Sequence, residues 1–141
     1  MTSKISILFF LILFSKFCFS QSEILQTWLT EDSEAVLNFY EYKGKYFAKV
    51  VWLKNPLDEK GNPQTDTNNP TVNKRNREIL NMVIIKDLEY RSDCWKNGSI
   101  YDPLTGSTYE CKVWINTDNE LKIRCYSGIL HETITWKKIN I

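Results

Sequence analysis

From Tyr109 to Tyr126 the chain alternates with a period of two, and this stretch alone commits it to a pleated sheet with two chemically distinct faces. Tyr109, Cys111, Val113 and Ile115 alternate with Glu110, Lys112 and Trp114; on the return, Leu121, Ile123 and Cys125 alternate with Lys122, Arg124 and Tyr126. Successive side chains on a strand point to opposite faces, so each set lies on one side of the sheet. A three-residue loop, Thr117-Asp118-Asn119, with Asn119 in the left-handed region, sets the register. It places Asn116 opposite Glu120, Ile115 opposite Leu121, Val113 opposite Ile123 and Cys111 opposite Cys125.

The rest of the chain agrees. Residues 35–53, AVLNFYEYKGKYFAKVVWL, form two β-rich runs joined at Lys43-Gly44, which predicts a second hairpin. An apolar run from Ile79 to Tyr90 predicts a strand, with a helical turn around Arg75–Asn81. A last strand, Glu132 to Ile139, puts Thr133, Thr135 and Lys137 on one side and Ile134, Trp136 and Lys138 on the other. Residues 54–77 hold three prolines and six asparagines with almost no apolar content, so they are expected to run over the surface as a long loop. Loops of this length in compact domains are usually functional or disordered. No sustained helical period or repeat competes, and regularly spaced short strands point to a sandwich or barrel.

The first 20 residues read differently. Lys4 is followed by a run from Ile5 to Phe19 that is apolar apart from Ser6, Ser15 and Lys16, the layout of a signal peptide cleaved after Ser20. The run is short of the roughly 20 apolar residues of a membrane helix, so no membrane span is expected after cleavage. Phe17 before Cys18 argues against lipidation. The expected domain is therefore residues 21–141, secreted or periplasmic, one core without a second domain. Losing Lys4 and Lys16 leaves 16 bases against 17 acids, a net charge of −1. Nucleic-acid binding needs a clustered cationic excess, which the chain lacks; Lys74-Arg75-Asn76-Arg77 runs straight into Glu78 and reads as solvated surface.

Candidate chemistry is sparse. Cys94, Cys111 and Cys125 allow either a Cys111–Cys125 cross-strand disulfide or three reduced thiols, and their spacing lacks the close pair typical of structural zinc. His131, the single histidine, limits triad chemistry and sits in an expected turn. Asp58, Asp66, Asp93 and Asp102 lie in or beside loops, and Asp102, followed by Pro103 and then Gly106, suits a turn-capping role. Arg124 and Tyr126, level with Trp114 and close to Trp136, would either orient an anionic or aromatic ligand inside a barrel or form a packed outer face.

The segment WKNGSIYDPLTGSTYECKVWI, with LKIRCYSG and the closing ITWKKI, resembles the bacterial exported DUF2147 family. The matching positions are Asp66, Asn69 and Pro70; Arg77; Trp95, Gly98, Ile100, Tyr101, Asp102, Pro103, Gly106 and Tyr109; Leu121, Arg124, Tyr126 and Gly128; and Trp136. Departures are Cys125 in place of Gly, Asn81-Met82 in place of Gly-Leu, and a shortened approach to Trp136 after Gly128. The resemblance implies a lipocalin-like (calycin-type) all-β antiparallel barrel of about eight strands and supplies no reaction.

Three accounts follow. In the first, the chain is a non-enzymatic, cofactor-free binding module for a small apolar or aromatic ligand or for an envelope protein, with Asp66, Asn69, Arg77, Trp95, Asp102, Tyr109, Arg124, Tyr126 and Trp136 as the ligand-binding set. In the second, Asp66, Arg77, Asp102, Arg124 and Tyr126 meet at one barrel mouth as an enzyme site. In the third, the motif is architectural: Asp102, Gly106 and Tyr109 fix a turn, and Arg124 pins the loop that carries Asp66 and Asn69.

Overall fold

The computed structural model describes residues 21–141; the expected signal peptide lies outside the described residues. Eight antiparallel strands follow one another around a closed barrel: β1 (Thr27–Leu29), β2 (Ala35–Tyr42), β3 (Lys45–Leu53), β4 (Val83–Arg91), β5 (Cys94–Asp102), β6 (Ser107–Ile115), β7 (Glu120–Ser127) and β8 (Leu130–Lys138). Every strand pairs with its sequence neighbours, and β8 closes on β1. Closure removes the exposed edges that an open sheet would present.

Turn chemistry dictates these connections. Lys43 and Gly44 have φ of 50° and 75°, and Tyr42 pairs with Lys45, so β2 and β3 are joined by a two-residue turn with both residues left-handed. Ser92 and Asp93 do the same between β4 and β5. Between β6 and β7, Asn119 has φ 57°, the Asn116 amide donates to the Glu120 carbonyl at 3.0 Å, and Ile115–Leu121, Val113–Ile123 and Cys111–Cys125 stand opposite one another. That register is the one the alternation predicts.

The inward-facing residues make one core. Leu37, Ala48, Ile85, Leu88, Val113, Leu121 and Ile123 are wholly shielded from solvent, and each large aliphatic chain so buried contributes roughly 1.5–3 kcal/mol. Because turns alternate between ends, the connections β1–β2, β3–β4, β5–β6 and β7–β8 gather at one end, the mouth, and the chain enters at the other. Ile24 and Trp28 pack into that entry end, with the Trp28 indole donating to the Ile24 carbonyl at 3.0 Å. Trp95 joins them, 6.2 Å from the Tyr46 ring and 5.0 Å from Tyr90.

Two expectations shift. The strand expected from Ile79 starts at Val83, because Asn81 takes φ 68° and residues 79–82 form a turn whose Met82 amide bonds the Ile79 carbonyl. The helical turn is a short 3-10 segment, η1 (Val72–Lys74), ahead of the stretch where the sequence suggested it. Strand β1, three residues long, is too brief to leave a period. Among the described residues, no helix is long and apolar enough to cross a membrane.

Candidate functional site

The long β3–β4 connection is a strap folded back on itself. Asp66 donates its amide to the Arg77 carbonyl and Ile79 donates to the Gln64 carbonyl, both at 2.9 Å. Most of the strap is exposed, as its composition requires, yet Asp66 is fully buried and Asn69 nearly so. A buried carboxylate is costly unless donors surround it. Here the Tyr101 hydroxyl donates to one oxygen at 2.6 Å and the Asn69 amide to the other at 2.7 Å, while Arg77 stands 3.8 Å away. Partial burial and the bond to Asp66 push the Tyr101 phenol up to about 12, so it remains a donor at any physiological pH. Arg75 in turn donates to the Asn69 carbonyl at 2.8 Å.

The strap is pinned to the β5–β6 turn as well. Asn68 donates to the Leu104 carbonyl at 2.7 Å. Gly106, with φ 73°, lies so close that a Cβ there would sit 2.0 Å from the Asn68 carbonyl oxygen. Asp102 caps this turn, accepting from the Leu104 amide at 2.9 Å and the Thr105 hydroxyl at 3.0 Å. A Cβ on Gly98 would likewise meet the Lys86 carbonyl at 2.6 Å.

Inside the mouth lies a cavity of about 620 Å³. Its walls are Ile84, Ile100, Tyr109, Cys125 and Ile134, with Trp136 at the floor. Its rim carries Glu31 and Asp32 from the β1–β2 turn, Asp102 from the β5–β6 turn, and His131 and Glu132 from the start of β8. A second, more polar cleft of about 750 Å³ lies under the strap, lined by Asn69, Lys74, Arg77 and Lys86 among others.

The nine residues of the sequence-derived ligand set therefore separate. Asp102, Tyr109 and Trp136 border the mouth cavity. Asp66, Asn69 and Arg77 form the strap's polar knot. Trp95 belongs to the core at the entry end, where its buried indole N–H has no partner among the described residues. Arg124 and Tyr126 face outward: Arg124 stacks over Trp114 at 5.2 Å and bonds the Thr133 hydroxyl at 3.2 Å, and Tyr126 packs edge-on to His131. The five-residue enzyme site at one mouth does not assemble, since Arg124 and Tyr126 alternate with inward-facing Ile123 and Cys125. Nor does Arg124 pin the strap; Tyr101 and Asn69, with Arg77, hold Asp66 in place.

Cys111 and Cys125 face the interior side by side, as the register predicts, and among the described residues Cys94, Cys111 and Cys125 are free thiols with no disulfide formed. Burial, with Cys125 beside it, pushes the Cys111 thiol up to about 12, and burial and Glu132 raise Cys125. Among the described residues, no three His, Cys, Asp or Glu side chains are grouped to hold a metal.

Comparison with known proteins fits this geometry. A family profile described as "Uncharacterized protein conserved in bacteria (DUF2147)" matches residues 26–138, from just before β1 to the end of β8. The chain belongs to DUF2147. Within this DUF2147 chain, Asp66, Tyr101, Asp102 and Gly106, all from the resembling pattern, meet where the strap joins the β5–β6 turn. Among solved structures, the chain is similar to protein HP1028 from the human pathogen Helicobacter pylori, described as belonging to the lipocalin family, at 25% identity over 83% of each chain with a TM-score of 0.69. Among curated proteins, none matches.

Proposed function

We propose that this DUF2147 protein is an exported, non-enzymatic binding module that holds a small apolar or aromatic ligand in the mouth cavity. The observation that carries the reading is the cavity itself. Its volume of about 620 Å³ falls within the roughly 300–1,000 Å³ usual for small-molecule sites, and an apolar wall with a few polar groups at the opening is the usual composition. The likeness to a lipocalin-family barrel supports the same use of the interior. The signal-peptide layout of residues 1–20 supports export to a periplasmic or secreted location.

The test is titration with Nile red, a neutral dye whose emission shifts to the blue in apolar surroundings. The wild-type protein is expected to bind one dye per chain, and Ile134→Trp, which fills the cavity with a larger ring, is expected to abolish the shift while retaining the far-UV spectrum of the barrel. A wild-type protein that leaves the dye's emission unchanged, or an Ile134→Trp variant that binds as well as wild type, would overturn the cavity as the site.

Docking to an envelope protein is favoured by a different observation. Leu104 and Ile129, on turns around the mouth, and Leu130, the first residue of β8, are 77%, 99% and 72% exposed. Apolar tips on adjacent turns suit a protein surface. Cross-linking from Ile129 in intact cells checks this reading, and an absence of any specific adduct would count against it.

A further inference from the structure

We infer that the mouth cavity selects a cation-headed amphiphile, an amine or quaternary ammonium on an apolar or aromatic body, over a carboxylate of the same size. This rests on the binding reading above and narrows it to a ligand class. The argument starts from the charges that border the cavity. Four carboxylates do so, Glu31, Asp32, Asp102 and Glu132, and among the described residues no lysine or arginine does.

Three of the four have structural partners. Glu31 accepts from the Thr135 amide at 3.2 Å, Asp32 accepts from Thr30 and the Glu34 amide, and Asp102 caps its turn. Neutral donors hold these side chains in place and leave their charge uncompensated. Glu132 is different. It stands opposite Cys125, an inward-facing residue, shares the face of Ile134 and Trp136, and makes no salt bridge among the described residues. Lys54, just past the end of β3, is occupied by Glu34 at 3.0 Å.

An apolar tail resting on Trp136 and Ile134 would thus place its head among uncompensated negative charges at a partly enclosed opening, where screening is weaker than in bulk water. A positive head is drawn in. A carboxylate head meets like charge with no cation to receive it. This polarity reverses what a fatty-acid carrier needs, which is a cation or a set of donors at the mouth.

The experiment compares octylamine, octanol and octanoate, which share a tail and differ in head charge, by calorimetric titration of the purified protein at pH 7.5 and low salt. The expected order is amine, then alcohol, then carboxylate, with the amine about tenfold tighter than the alcohol, the effect of one charge-assisted contact. Glu132→Gln is expected to shrink the amine-to-alcohol ratio toward one, whereas Glu110→Gln, on the outer face of β6, leaves that ratio in place. Equal binding of all three, or octanoate binding tightest, would overturn the charge inference while leaving the cavity reading standing. Binding of none of them would remove both. A ratio that falls equally in the two variants would trace the preference to the overall field of the protein and overturn the role given to the mouth.

Discussion

At the entry end of the barrel, Ile24, Trp28, Tyr46 and Trp95 fill the interior and turns of two or three residues cross the rim; at the mouth, a strap of about 30 residues is fastened to the β5–β6 turn and a cavity stays open beside it. Both ends are closed by the same chain with the same strand spacing, so the difference lies in the means of closure. Aromatic packing needs only volume and tolerates exchange among large rings. The mouth is held by a buried carboxylate with named donors and by a backbone approach too close for any side chain, and both demand one residue type at one place. Residues 54–78 of the strap are almost wholly polar, and only at its end do Ile79, Leu80 and Met82 pack against the core, so a hydrogen-bonded knot fixes the rest. Asp66, Asn69, Arg77, Tyr101, Asp102 and Gly106 of the family pattern sit in or beside that knot, which gives this part of the motif a structural task.

The comparison breaks most sharply at glycine. Gly106 and Gly44 both have positive φ, but a Cβ at Gly44 meets nothing within 4 Å, whereas at Gly106 it meets the Asn68 carbonyl. Gly44→Ala is expected to cost about 1–2 kcal/mol, the left-handed strain alone, and Gly106→Ala about 3 kcal/mol or more, since backbone must also move. Urea unfolding midpoints measure the gap, and equal losses would mean that the strap's approach carries no energy.

Next in size is Tyr101→Phe. It leaves the buried Asp66 one donor short and is expected to cost about 2 kcal/mol, read as a lowered thermal midpoint at pH 7. The same variant has a pH signature. In the unfolded chain this phenol ionises near its ordinary value of 10, and in the folded chain only near 12. Its contribution is therefore fully present below pH 10 and is lost as pH rises from 10 to 12. Wild-type stability should fall across that window, and Tyr101→Phe should flatten part of the fall; Tyr46, whose phenol is raised chiefly by burial at the other end, supplies another part.

The smallest effect is expected at Arg124→Ala, far from either closure. The guanidinium rests on Trp114 at the surface, and its loss should cost about 0.5–1 kcal/mol. Ligand affinity at the mouth should not change in the same variant, and a large drop would bring Arg124 back into the site.

How much of this was readable beforehand follows the same division. Strands β6 and β7 could be written down with their register, because period-two alternation and the Asn119 turn together fix it, while for β8 the sequence gives the two faces and not the pairing. The place of Glu132 at the cavity rim follows from parity too, since it shares the face of Ile134, Trp136 and Lys138, although it stays exposed there. The contact between Asp66 and Tyr101 was not legible. Its partners are 35 positions apart on a loop and a strand, and nothing periodic connects them. Arg124 misled for a related reason: alternation puts it on one of two faces, and only closure of the barrel decides which of them is inside.

The neighbour-to-neighbour order of the strands carries a consequence for how the chain reaches this structure. Each of the seven pairings from β1–β2 to β7–β8 joins strands consecutive in sequence; six of them need only a short turn, and β3–β4 alone must first fold the strap back. Such local pairings can form early, since closing a short loop takes far less chain entropy than closing a long one. The remaining pairing, β1 with β8, spans nearly the whole domain and is registered only at Trp28–Lys138 and Leu29–Lys137. Assembly should therefore run as a meander that zips from its hairpins and locks last at this narrow junction, and spontaneous opening of the native protein should begin there. Amide exchange at Thr27 and Ile139 would report that first parting of the strands.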